Sequence, residues 1–268
     1  MAISSLITKL SMGLIGAAIL TLETSVAQAA PFFVSTGNGK VGSVDQTTGL
    51  FTEVASGPSF TDIALSNSEE IFGITFNSLY KVNTTTSTSS FIGNLGVSNM
   101  NGLGFTTSNS LYGTGGSNFY NINTLTGAAS LVSNIAGFMS SGDIVYDSVN
   151  DRFLATSQGD SLWSIAVDGT ANKIGNIGFN SVYGLAFDNN GSLYGYTSDR
   201  KQIAIDTTTG SGTFNQNVTG LSSSIWGSAS LPSSGPATSV PEPASILGLL
   251  AMGAMGASSM LQRKQIQE

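Results

Sequence analysis

The chain has 268 residues, with 9 Lys and Arg against 16 Asp and Glu and a net charge of −7. It contains no cysteine and no histidine, which removes disulfides, His–Ser and His–Cys catalysis, histidine metal sites and a histidine pH switch. No Walker A motif is present, no cofactor or metal is expected, and an acidic body with few cations is a poor partner for nucleic acid.

Residues 1–29 read as a secretory signal peptide. Lys9 precedes the apolar run 10–20, and the small residues Ala27 and Ala29 suit signal peptidase. Cleavage after Ala29 also keeps Pro31 away from the cut bond.

Residues 30–231 form the body, and a repeat organises them. An aromatic opens one strand of each copy at Phe33, Phe72, Tyr112, Phe153 and Tyr194, steps of 39, 40, 41 and 41 residues. A second column precedes it: Asp62-Ile-Ala-Leu, Gly102-Leu-Gly-Phe, Asp143-Ile-Val-Tyr, Gly184-Leu-Ala-Phe and Gly227-Ser-Ala-Ser. A third follows it, as in Leu79-Tyr-Lys-Val-Asn and Gln202-Ile-Ala-Ile-Asp, and ends in a Thr/Gly-rich turn. A period of about 40 residues with about four short strands per unit is the signature of propeller blades. The inner strands are apolar or small throughout, as a sheet covered on both faces requires. The body begins in the second strand of a copy and ends, near Trp226, in a lone first strand. Pairing of these two closes the ring, so the expected fold is all-β, a five-bladed β-propeller closed by its N- and C-terminal strands. An open stack of hairpins or a sandwich is the alternative.

Clusters of oxygen-bearing side chains at 147–151 and 188–191 lack the spacing of a calcium loop and read as turns. The starts of the inner strands are more informative. Asp62, Asn101, Asp143, Tyr183 and Trp226 stand at or just before the same register position in five blades. They are expected to meet at one mouth of the axial channel. Aromatic faces stack on sugar rings while Asp and Asn orient hydroxyls, so a saccharide is the ligand class they suit. Two carboxylates at one mouth also admit a glycan-active hydrolase or lyase. The bland alternative is that Asp62 and Asp143 accept loop amide hydrogen bonds.

Residues 232–239 are a Pro/Ser/Gly linker. The segment 240–268 carries Pro241, Glu242 and Pro243, then the uncharged run 244–261, then Arg263 and Lys264. At about 1.5 Å per residue that run spans roughly 27 Å, close to the ~30 Å core of a bilayer, and the cations after it suit the cytoplasmic side. These ordered parts, with a signal peptide in front, resemble the PEP-CTERM sorting signal. The resemblance implies recognition by an exosortase, a membrane protease-transpeptidase of Gram-negative bacteria, with cleavage near residues 241–243. It also implies association with exopolysaccharide and biofilm matrices.

The resulting expectation is an exported protein, anchored by the helix 244–261 until processed, then at the cell surface or in the extracellular matrix. Signal peptidase, exosortase and exopolysaccharide are its expected partners. Its propeller is expected to be a non-catalytic binding or structural module, with the glycan-active enzyme as the alternative.

Overall fold

The computed structural model describes residues 32–231. The signal peptide with Ala27 and Ala29, the linker, and the sorting segment with Pro241, Glu242, Pro243, Arg263, Lys264 and the expected membrane helix lie outside the described residues.

Short apolar runs broken by Gly, Asx and Thr turns form twenty strands in five antiparallel four-stranded sheets. Blade one contains β1 (Phe32–Thr36), β2 (Lys40–Val44) and β3 (Phe51–Ser56). Blade two contains β4 (Asp62–Leu65), β5 (Ile71–Ile74), β6 (Ser78–Asn83) and β7 (Thr88–Asn94). Blade three contains β8 (Met100–Phe105), β9 (Leu111–Gly115), β10 (Asn118–Ile122) and β11 (Ala129–Asn134). Blade four contains β12 (Ser140–Asp147), β13 (Arg152–Ser157), β14 (Ser161–Ala166) and β15 (Ala171–Asn176). Blade five contains β16 (Val182–Phe187), β17 (Leu193–Thr197), β18 (Lys201–Ile205) and β19 (Gly212–Asn217). The last strand, β20 (Ile225–Ala229), pairs with β1 as Phe33↔Ala229, Val34↔Ser228 and Ser35↔Gly227, and completes blade one. The ring is closed by its two chain ends, as the repeat phase requires.

Four of the five hairpins joining the third and fourth strands share one device. Asp45, Asn83, Asn123 and Asp206 each turn a side-chain oxygen back onto the amides two and three residues ahead. This Asx turn gives the corner its hydrogen bonds where the ladder cannot.

The buried apolar residues fall into five clusters, and each joins two neighbouring blades. Phe60, Ile63 and Ile71 of the second blade pack with Val41 and Ala55 of the first. Phe72 and Ile74 meet Leu103 and Phe105, Phe119 meets Ile144 and Phe153, and Leu154 and Leu162 meet Leu185 and Leu193. The fifth cluster joins Phe32 and Val34 to Ala186 and Tyr196, across the closure. Five blades with five inter-blade cores leave no open face, which is why β4 and β12 are buried along nearly their whole length.

Candidate functional site

The inner strands β4, β8, β12, β16 and β20 run side by side around the axis. Along most of their length the axis is filled. Ala64, Gly104, Val145 and Ala229 line a residual cavity of about 10 Å³, room for one water at most.

At the end where these strands begin, the axis opens into a cavity of about 220 Å³ lined by Thr61, Phe76, Asn101, Ser141, Tyr183 and Trp226. Backbone irregularities make it. The ladder of blade three skips from Met100 to Gly102, leaving Asn101 as the extra residue of a bulge. The same happens to Tyr183 between Val182 and Gly184, and to Trp226 between Ile225 and Gly227. In blade four the shift runs from Ser140 to Ile144 and frees Ser141. A β-bulge re-aims the side chain of its unpaired residue, and here four bulges turn theirs toward one opening.

Cross-blade hydrogen bonds hold the rim. Thr61 Oγ1 donates to the Met100 carbonyl at 3.0 Å, and Asn101 Nδ2 donates to the Ser140 carbonyl at 3.2 Å. Asn101 Oδ1 is a buried acceptor with no protein partner. Phe76 stands 55% exposed at the edge. The lining contains no carboxylate, amine or guanidinium.

Asn101, Tyr183 and Trp226 therefore come together at the mouth. Asp62 and Asp143 do not line it. They are 0% and 1% exposed, one step deeper along their strands, within hydrogen-bonding reach of each other. The expectation that all five stand at one height needs this correction. The register equivalents of Asp62 and Asp143 are Gly102, Gly184 and Gly227, and the missing side chain of Gly227 leaves space for the Asp62 carboxyl. A Cβ on Gly227 would lie 2.3 Å from Asp62 Oδ1.

Backbone amides of other strands bond both carboxyls. Asp62 accepts from the Ile63 amide at 2.8 Å and from the Leu103 amide at 2.6 Å. Asp143 Oδ2 accepts from the Leu185 amide at 2.6 Å and from the Ser228 amide and hydroxyl at 3.2 Å each. Burial pushes both well above the ordinary carboxylate range. The adjacent Asp143 raises Asp62 further, whereas the bond from Asp62 and the donors of Leu185 and Ser228 pull Asp143 back.

Phe76, Ser141, Ser228 and Ser230 were not singled out from sequence. Phe76 occupies a turn whose counterparts are Gly37-Asn-Gly39, Gly116-Ser117, Gln158-Gly-Asp160 and Ser198-Asp-Arg200, so an aromatic there was a visible departure. Ser228 and Ser230 stand in columns otherwise filled by Ile, Leu, Phe or Tyr. The oxygen clusters at 147–151 and 188–191 are turns: Asp147 holds Asn150 and Arg152, and Asp188 accepts from the Asn190 and Ser192 amides. Among the described residues no group of three or more acidic side chains is placed to hold a metal ion.

The fold is similar to that of a protein of unknown function from Bacteroides thetaiotaomicron VPI-5482, with a TM-score of 0.51 and 16% identity over 70% of this chain. This chain spans 59% of that protein's length. A protein of unknown function from Bacteroides caccae matches with a TM-score of 0.44 and 13% identity, covering 71% of this chain and 73% of its own. A third similar structure comes from work on the de novo evolutionary emergence of a symmetrical protein, with a TM-score of 0.49, 14% identity, and 74% and 93% of the two chains covered. No curated protein matches this chain. Residues 239–264 match the PEP-CTERM protein-sorting motif, which marks the chain as an exported, exosortase-processed protein of the cell surface or extracellular space, carrying a five-bladed propeller.

Proposed function

We propose that the propeller is a non-catalytic binding module whose mouth takes a neutral, hydroxyl-rich ring, such as a sugar unit of an exopolysaccharide. The observation that carries this reading is the lining of the mouth. Phe76, Tyr183 and Trp226 supply aromatic surface, Thr61, Asn101 and Ser141 supply uncharged hydrogen-bonding groups, and no charge is present. Aromatic faces with a few placed polar groups are what ring stacking and hydroxyl recognition need.

Two further features support it. The carboxyls that would serve a glycan hydrolase lie beneath the floor, occupied by backbone amides and by each other, whereas an acid or base must reach the bond it acts on. In addition, β20 runs from Trp226 at the mouth to Ala229 at the other end of the axis, so the chain leaves the ring near Leu231, at the end opposite the mouth.

The test is a glycan array on the full chain followed by titration of the best neutral oligosaccharide against wild type and Trp226→Ala. The expected loss is roughly 1–3 kcal/mol, the range of an aromatic anchor, with an unchanged melting temperature. Equal affinity in two equally folded proteins removes Trp226 from the site. Absence of any saccharide binding leaves the ring as a structural matrix component.

A further inference from the structure

Two buried carboxyls reach all five inner strands. Asp62 belongs to β4 and bonds Leu103 of β8, while Asp143 belongs to β12 and bonds Leu185 of β16 and Ser228 of β20. Asp143 Oδ1 has no hydrogen-bond donor among the protein's fixed N–H and O–H groups. The Asp62 carboxyl lies within hydrogen-bonding reach of Asp143, and two carboxyls can bond each other only through a proton.

We propose that Asp62 and Asp143 form a one-proton lock on the ring, in which the shared proton lets the two side chains hold the five blades and the closing strand β20 together. Loss of that proton leaves two negative charges in contact in a dry axis. Their repulsion pushes the two carboxyls apart and strains the bonds through which they hold β8, β16 and β20. This inference does not depend on what the mouth binds.

The surroundings offer no other way to balance the charge. β8 presents Gly102 and Leu103 to the pair, β16 presents Gly184 and Leu185, β20 presents Gly227 and Ser228, and β13 contributes Thr156, whose Oγ1 accepts from the Asp143 amide. None of these is titratable or charged. The ion pairs among the described residues, Lys40–Glu53, Lys81–Glu70, Arg152–Asp147 and Lys201–Asp199, involve other carboxylates.

Folding raises the pair's hold on its proton above that of a free aspartate near 3.8. The stabilisation is therefore complete below about pH 4 and is lost as pH climbs from there through the raised folded value. Within that window the melting temperature should fall by roughly 3–5 °C per pH unit relative to a protein lacking the lock, one proton's linkage for a domain of this size.

Asp143→Asn supplies that comparison. Its amide oxygen can take over the bonds from Leu185 and Ser228, and its Nδ2 can donate to an ionised Asp62 without any shared proton. Thermal melts of the full chain in non-ionic detergent, from pH 4 to 9, should show wild type losing stability against Asp143→Asn as pH rises. Parallel profiles overturn the proposal. Infrared spectroscopy of wild type reads the proton directly and does not need the variant to fold. A protonated carboxyl band that outlasts those of the ordinary aspartates as pH rises supports the lock, and its disappearance together with theirs overturns it.

Discussion

The indole of Trp226 rests on Gly37: a methyl group built at Gly37 would lie 2.9 Å from Cε2 and Nε1 of the ring. Gly37 sits in the turn between β1 and β2, and its amide donates to the Ser224 carbonyl at 2.9 Å, two residues before the tryptophan. A short backbone bond and a missing side chain thus fix where the indole lies across the mouth. Gly37→Ala keeps the amide bond but displaces the ring. Moving a side chain off its preferred rotamer costs about 1 kcal/mol, so saccharide affinity should fall several-fold while the melting temperature barely moves. Tryptophan emission should shift as well, read in a Trp163→Phe background because Trp163 is the other indole. Unchanged emission and affinity would show that Gly37 does not set the indole's position.

Ser230 Oγ accepts a hydrogen bond from the Phe187 amide at 2.9 Å, joining the end of β20 to β16 in the neighbouring blade. Both residues are buried. Ser230→Ala leaves that amide without a partner, a loss of about 1–3 kcal/mol. For a domain of this size it should lower the melting temperature by roughly 2–10 °C. Differential scanning calorimetry decides it, and a shift under 1 °C would mean that solvent takes the hydroxyl's place.

Deleting residues 224–231 removes β20. Blade one then loses its inner strand, the edge of β1 is exposed, and Asp143 loses both Ser228 donors. Unpaired edges invite aggregation. The truncated chain should aggregate or unfold without cooperativity in urea. A sharp, wild-type-like transition would show that four complete blades and a partial one are self-sufficient.

The sorting motif at 239–264 makes a prediction independent of the propeller. In the native host the mature protein should lack the residues after 243, and intact mass spectrometry would show it. Glu242→Ala should leave the body in the membrane fraction. Release of that variant at the normal rate would exclude Glu242 from exosortase recognition.

Much of the architecture was legible because a propeller repeats its physics. Each blade needs the same apolar inner strand and the same aromatic at Phe33, Phe72, Tyr112, Phe153 or Tyr194, and four of the five use the same turn after the third strand. Period and phase therefore survive in the residue order. The lone first strand around Trp226 announced the closure for the same reason: a ring of whole blades has no other use for it. Asn101, Tyr183 and Trp226 could be placed at one mouth from register alone. Depth could not. Whether a side chain at the start of an inner strand faces the mouth or the axis depends on a bulge of one or two residues, and bulges at Asn101, Ser141, Tyr183 and Trp226 leave no mark in composition or spacing. Asp62 and Asp143 stand one position further, where strand pairing turns them inward onto amides of other blades. Their contact joins residues 81 positions apart through the closure of the whole ring, so a proton shared between them is a property of the tertiary structure alone.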